Sequence, residues 1–238
     1  MIYFLIPVFN EAENIALLAE NIITCLPGEN KHYVFVDDCS TDDTVSVINK
    51  HFASQQLQII TKQINAGPGD SFNQGFDWIL AHSTSEDDRI VTMEGDNTSD
   101  IKILYNMISI SRLGYNLVLA SVYAQGGGFD KTSFIRKLTS MVANLLIRFV
   151  FDIKILTLSS FYRVYTPELL RKIKAANPAI IEEKGFISMV EVLVKAIHEK
   201  ARIIEVPMML DSSVRKGKSK MKIVSNMFRY IHFLIKSK

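Results

Sequence analysis

Cysteine is nearly absent from this chain: its 238 residues hold two, Cys25 and Cys39. Two thiols build neither a disulfide framework nor a cysteine metal cluster, and they suit a reducing compartment. Glycine (11) and proline (6) are sparse, which excludes collagen-like repeats. A 48% hydrophobic, 22% charged composition excludes intrinsic disorder. Long apolar runs are missing too. The longest stretch without a charge, 113–129, contains Asn116, Gln125 and three consecutive glycines, whereas a spanning helix needs about 20 mainly apolar residues. The first residues carry no basic region and soon meet Pro7, Asn10 and Glu11, so they are not read as a signal peptide. The expectation is a cytoplasmic protein that touches a membrane, if at all, peripherally on its inner face. The length allows one large domain or two small ones, and one core of this size buries about 70% of the unfolded surface without disulfides.

Acids are absent after Asp211, where eight of the 27 Lys and Arg residues lie. Residues 1–211 carry a net −6 and residues 212–238 a net +8. The division expected from this is one domain over 1–211 followed by a basic segment over 212–238. A basic tail on an acidic body implies an anionic partner. Over 221–235, Ile223, Val224, Met227, Phe228, Ile231, Leu234 and Ile235 fall within an arc of ~140° at helical spacing, with Lys222, Arg229 and Lys236 opposite. Such a helix lies on an anionic membrane surface, or packs its apolar stripe on its own domain or on a homodimer partner. Nucleic acid is not expected there, because most apolar tail residues face away from the charges.

The usual nucleotide signatures are also lacking. No G-x-G-x-x-G follows the first strand and no G-x-x-x-x-G-K-[ST] occurs anywhere, which removes the common warrants for a dinucleotide enzyme or a P-loop NTPase. The five histidines are scattered outside the polar clusters, so no Ser-His-Asp or His-metal chemistry suggests itself.

What is present is alternation. Apolar runs at 2–6, 33–36, 57–60 and 89–93 read as strands, and helical spacing at 11–25, from 44 and at 69–81 reads as helices between them. Alternation of this kind predicts a parallel sheet with helices on both faces. Beyond residue 100 the pattern predicts helices at 101–113, 134–151, from Pro167 and at 187–198, strands at 117–120, 160–165 and 202–206, and a flexible loop at 126–128. Polar clusters open directly after the strands at 7–11, 37–41 and 94–100, and ligands of such sheets bind outside the carboxyl ends of the strands. Any one cluster could be a helix cap, but three together bring carboxylates to one crevice, where repulsion needs a cation or a ligand's donors. Glu94 and Asp96, two apart, share a face on an extended backbone and form a hard-oxygen site suited to Mg²⁺ or Mn²⁺, with an acidic turn as the alternative.

The order of motifs is more specific than any one of them. Ile6-Pro-Val-Phe-Asn-Glu11, Val36-Asp-Asp-Cys-Ser-Thr-Asp-Asp-Thr44, Gly67-Pro-Gly-Asp-Ser-Phe-Asn-Gln-Gly75, Glu94-Gly-Asp96, Ser159-Ser-Phe-Tyr-Arg-Val-Tyr165, Glu205-Val-Pro207 and Arg215-Lys-Gly-Lys-Ser-Lys220 run along nearly the whole chain. Together they resemble family-2 nucleotide-sugar glycosyltransferases, particularly the dolichyl- or polyprenyl-phosphate sugar synthases. The resemblance implies a GT-A type α/β fold with a mixed, mostly parallel central sheet and helices on both faces. It implies donor contacts from Pro7, Glu11, Asp37 and Asp38, a metal at Glu94 and Asp96, and phosphate or acceptor contacts from Arg163, Arg215, Lys218 and Lys220. Four departures stand out: Glu94 replaces an Asp, Val122 follows Ser121 where many relatives have Arg, Thr157-Leu-Ser-Ser-Phe-Tyr-Arg163 stands where relatives often read Asp-x-x-Ser-Gly-Phe-Arg, and Arg215 stands two residues before Gly217 rather than three.

The implied reaction is inverting transfer of a sugar from a nucleotide-sugar to an acceptor such as a polyprenyl phosphate, with metal-bound diphosphate leaving. A phosphate acceptor is ionised at pH 7 and needs no base. A hydroxyl acceptor needs one, and Glu191 is then the candidate, against the alternative of a helix-surface acid or an arginine's partner. The competing classes are a nucleotidyltransferase, which lacks its basic loop here, and a non-catalytic module that binds nucleotide-sugar or anionic lipid.

Overall fold

The protein is described by a computed structural model, covering residues 1–130, 154–185 and 187–217. The helices expected over 134–151 and 221–235, together with Lys218 and Lys220, lie outside the described residues.

A seven-stranded sheet forms the centre, in the order β3-β2-β1-β4-β7-β5-β8. Its strands are β1 Ile2–Val8, β2 Lys31–Asp37, β3 Gln56–Thr61, β4 Arg89–Thr92, β5 Leu117–Ser121, β7 Arg163–Tyr165 and β8 Ile203–Pro207. All run parallel to their neighbours except β7, which pairs antiparallel with both β4 and β5. The expected mixed, mostly parallel sheet is therefore present.

The helices are α1 Ala12–Thr24, α2 Thr44–His51, α3 Pro68–His82, α4 Leu104–Arg112, α5 Pro167–Ala176 and α6 Ser188–His198. Side chains alternate across each strand, so β1 serves two cores. Tyr3 and Leu5 face Phe72 and Phe76 of α3 and the apolar stripes of α5 and α6. Ile2, Phe4, Ile6 and Val8 face Ile15, Leu18 and Ile22 of α1, Ile48 of α2 and Met107 of α4. Burial on both sides is why these strands read as continuous apolar runs.

Some expectations shift. The segment at 101–113 begins as a 3-10 turn, Ile101–Ile103, in which the Asp100 side chain accepts the Lys102 N–H at 3.1 Å, and only then becomes α4. The strand expected over 160–165 is confined to Arg163–Tyr165. Of the loop expected over 126–128, Gly126 and Gly127 stay outside regular structure and Gly128 opens a strand: β6, Gly128–Asp130, pairs in parallel with β9, Met209–Asp211. A strand partner 81 residues away supplies the ladder that the local sequence does not announce. Among the described residues no helix is long and apolar enough to cross a membrane.

Candidate active site

The sheet order places β2, β1 and β4 side by side and parallel, so their carboxyl ends open onto one crevice. The loops after them are stitched to one another. Asn10 N–H donates to Ser40 Oγ at 2.9 Å, and Thr41 N–H donates to Asn10 Oδ1 at 2.7 Å. Glu11 N–H donates to Thr44 Oγ1 at 2.8 Å and Ala12 N–H to Asp42 Oδ2 at 3.2 Å. The polar cluster after β2 thus caps the amino terminus of α1, as well as preceding its own helix. Each of the three loops holds one residue in the left-handed region: Asn10 (φ 51°), Cys39 (φ 65°) and Asn97 (φ 64°). Asparagine tolerates that conformation, whereas cysteine is strained in it.

Pro7 lies within β1 opposite Val36 of β2, and Glu11 follows at the crevice, its Oε2 accepting from Asn14 Nδ2 at 2.6 Å. Asp37 ends β2 and accepts the Ser40 N–H at 3.3 Å. Asp38 is occupied differently. Its Oδ1 accepts from Lys62 Nζ at 2.6 Å and from the Ala66 N–H at 2.9 Å, and its Oδ2 from the Gly67 N–H at 2.8 Å. Lys62 is itself buried, and it also pairs with Asp70 at 2.6 Å. Asp38 therefore holds the loop that enters α3.

Glu94 and Asp96 come after β4 has ended, with Gly95 and Asp96 in a turn, so the extended-backbone argument for a shared face does not apply. The turn folds Thr98 back onto Asp96 Oδ1, with N–H and Oγ1 at 3.0 and 2.6 Å, while Ser99 Oγ donates to Glu94 Oε2 at 2.8 Å. Asp96 Oδ2 is ion-paired with Arg215. Next to it, Asn97 Oδ1 is buried with no hydrogen-bond partner among the described residues. Two carboxylates and an orphaned amide oxygen in one turn, one of them already facing a cation, fit a hard divalent ion. No cluster of three or more His, Cys, Asp or Glu occurs among the described residues, so such an ion would take further ligands from water and substrate.

Two expected site residues lie elsewhere. Arg163 does not face the crevice. It is fully buried, and its guanidinium donates to the carbonyls of Ser160 (2.8 Å), Leu158 (2.6 Å) and Met189 (2.8 Å) and to Tyr165 Oη (3.2 Å). Three backbone carbonyls and one hydroxyl accept from its guanidinium and make it a brace between the β7 loop and α6, which corrects the phosphate-contact expectation. Glu191 is likewise neither exposed nor partnered by arginine. Its carboxylate accepts the N–H groups of Glu182 (3.0 Å) and Glu183 (2.8 Å) and pairs with Lys195 at 2.7 Å. Those bonds hold the 182–185 loop against α3, where a side chain on Gly69 would overlap the Glu183 carbonyl. Three donors thus engage this carboxylate within its own surroundings.

Sequence reasoning passed over Lys62 and Asn14, and gave Glu205 no role beyond its place in the Glu205-Val-Pro207 segment. Glu205 Oε2 and Oε1 accept the N–H groups of Leu156 and Thr157, both at 2.8 Å, and Thr157 Oγ1 lies 2.6 Å from Ser121 Oγ. The signal available for Lys62 was a lone lysine at the end of an apolar strand. Asn14 offered none, because a polar residue in the first turn of a helix is ordinary.

Comparison with known proteins places the chain among sugar transferases. The sequence profile of Glycosyl transferase family 2 matches residues 3–174. Polyprenol monophosphomannose synthase of Mycolicibacterium smegmatis is 27% identical over 205 residues, covering 85% of this chain and 74% of that protein. Dolichol-phosphate mannosyltransferase of Pyrococcus furiosus is 27% identical over 237 residues, covering 98% of this chain but 63% of that protein. In structure the chain superposes on glucosyl-3-phosphoglycerate synthase from Mycobacterium tuberculosis, crystallised with Mn²⁺ and uridine diphosphate, with a TM-score of 0.69 at 15% identity, covering 99% of this chain and 77% of that one. The fold is thus that of the GT-A transferases, and with the profile spanning well over half its length the chain belongs to glycosyl transferase family 2.

Proposed function

We propose that the protein transfers a sugar, with inversion, from a nucleotide-sugar to a polyprenyl phosphate, using Mg²⁺ or Mn²⁺ held at Glu94 and Asp96. The observation that carries this reading is the turn after β4, where Asp96 and Asn97 present buried oxygens beside Arg215 at the mouth of the nucleotide-side crevice. Pro7, Glu11 and Asp37 line the base and ribose side. Carboxylates there accept hydrogen bonds from base N–H groups and ribose hydroxyls. Asp38 acts through the loop it holds. When bound, the cation neutralises the diphosphate and stabilises it as leaving group. Arg215, with Lys218 and Lys220 beyond it, supplies positive charge for the phosphates. The acceptor's phosphate oxygen forms the new bond to the anomeric carbon as the bond to the nucleoside diphosphate breaks on the opposite side.

The engagement of Glu191 favours a phosphate acceptor over a hydroxyl. A hydroxyl must lose its proton to a base within reach, and the oxygens of Glu191 are committed to the 182–185 loop. The relatives' names support the same choice, since they act on polyprenol, dolichol or undecaprenyl phosphates. A lipid acceptor also gives the basic helix expected over 221–235 a purpose at the cytoplasmic face of a membrane.

The test is a thermal-shift screen of nucleotide-sugars with Mg²⁺ or Mn²⁺, followed by transfer to a short polyprenyl phosphate. One donor should raise Tm in a concentration- and metal-dependent way. Asp96→Ala should keep the wild-type circular dichroism and lose transfer. Full activity in Asp96→Ala, or in excess chelator, would remove the metal from the mechanism.

A further inference from the structure

Asn14 lies in the first turn of α1 and is 3% exposed, yet its side chain reaches across the molecule. Its Oδ1 accepts the Lys216 N–H at 2.9 Å, and its Nδ2 donates to the Lys216 carbonyl at 3.1 Å. This pairs a side-chain amide with both backbone groups of one residue, 202 positions away. Only a side chain with donor and acceptor side by side can do so. The same Nδ2 donates to Glu11 Oε2 at 2.6 Å, and the Asn14 carbonyl accepts from Asn97 Nδ2 at 3.0 Å. One residue therefore ties together the β1 loop, the β4 turn and the segment after β9. Arg215, the neighbour of the bridged residue, is the ion-pair partner of Asp96.

From this we infer that residues 212–217 form a strap seated on α1 by Asn14, whose Arg215 is the built-in counter-ion of Asp96 and yields that carboxylate to a divalent cation. The yielding step rests on the cation reading above, and the seat does not. Asp96 is 2% exposed, and a buried carboxylate without a partner is costly, so something must neutralise it before any metal arrives. Arg215 meets that need. A metal ion at Oδ2 would set its charge against the like charge of the guanidinium, which favours displacement of the arginine. Because the seat is at Lys216, one residue along, a displaced Arg215 stays tethered at the crevice, where its charge meets the phosphates that accompany the cation. Asn14 is thus a positioning residue for Arg215, acting through the strap.

The experiment uses the full-length protein and two readouts: deuterium uptake over 212–217 by mass spectrometry, and binding of Mn²⁺ alone, followed by loss of the free-ion electron paramagnetic resonance signal. Asn14→Ala should speed uptake over 212–217 while β1, β2 and β4 exchange as in wild type. Lys216→Pro removes the donated N–H without touching α1 and should do the same, which covers the case in which Asn14→Ala disturbs the helix. Arg215→Ala should bind Mn²⁺ alone roughly five-fold more tightly, because the ion no longer competes with an ion pair. Asn14→Ala should shift Mn²⁺ affinity in the same direction. Unchanged uptake in both Asn14→Ala and Lys216→Pro overturns the seat. Equal or weaker Mn²⁺ binding in Arg215→Ala overturns the counter-ion role. Absence of Mn²⁺ binding in wild type and Arg215→Ala alike overturns the yielding step together with the cation reading, and the uptake result alone then decides the seat.

Discussion

Lys62 shows how much of the crevice depends on side chains that never touch a ligand. Its ammonium is enclosed between Asp38 and Asp70, and Asp38 in turn holds the backbone that begins α3. Removing one partner of a buried pair leaves an uncompensated charge, so Lys62→Met should cost about 3 kcal/mol in urea unfolding. Adding Asp38→Asn should recover part of that loss in a double-mutant cycle. A cost within a few tenths for the single variant would mean that water already solvates Asp38. His32 makes a second residue-scale case. Its ring stacks on Tyr3 and tilts against Trp78, with Nε2 buried and unpartnered among the described residues. Burial, and secondarily the nearby charge of His82, lower its pKa below the ordinary 6.5. The unfolded chain therefore takes up the proton first as pH falls. Stability from this group is complete above the unfolded pKa of about 6.5 and is lost as pH drops toward the depressed folded value. The urea midpoint of wild type, read by Trp78 fluorescence, should fall between pH 7.5 and 5.5 by more than that of His32→Phe. Parallel losses in the two proteins would exclude His32 as the source.

Among the elements, α3 is the one most tightly fitted to the sheet. A side chain on Gly75 would overlap Leu5 Cδ1 of β1, and Leu5 is fully buried. The helix approaches β1 closely because this position has no Cβ. Gly75→Ala adds helix propensity worth about 1 kcal/mol but forces the core apart, which typically costs about 1–3 kcal/mol. The net should be a lower Tm with unchanged helix content, and a raised Tm would show that Leu5 has room to turn. The helix also carries the geometry of the site: its first residues receive Asp38 on one side and the 182–185 loop held by Glu191 on the other. Much of this element was legible in advance, since the spacing predicts a helix over 69–81 carrying Phe72, Phe76 and Trp78, and Phe72 and Phe76 lie on its buried face. The residues against its amino terminus were not, because they arrive from β2 and from the loop before α6.

At the scale of the whole molecule, charge is divided between an acidic body and a basic end. If residues 221–235 lie on an anionic surface, the full chain should co-sediment with vesicles rich in acidic lipid, while a chain ending near Ser219 should stay in the supernatant. Each basic residue near such a surface contributes on the order of 1 kcal/mol before screening, so added salt should release the full chain. Equal behaviour of the two chains would assign the apolar stripe to protein packing instead. The described part of the basic segment is already attached to the body through Lys216 and Arg215, so the change in composition after Asp211 is not where the chain leaves the fold.

Local pattern was sufficient for the mostly parallel sheet, its helices and the strand ends at which the polar loops gather, because burial on both faces and the turn chemistry at strand ends are written into short windows of sequence. Asp37, Glu11, Glu94 and Asp96 could be placed at one edge for the same reason, each lying in a polar cluster that follows a strand, while the roles expected of Glu11 and Asp37 came from the resemblance. What tertiary structure alone decided was the occupation of each charge. Asp38 was indistinguishable from Asp37 until Lys62 and two backbone N–H groups closed on it. Arg163 read as a phosphate or acceptor contact until its guanidinium met three interior carbonyls and the Tyr165 hydroxyl, and Glu191 read as the candidate base for a hydroxyl acceptor until the 182–185 loop engaged its oxygens. The strand pairing of β6 with β9 and the bridge from Asn14 to Lys216 depend on partners far along the chain. A side chain's type specifies which bonds it can make, and only the folded chain's long-range contacts select which of them are made.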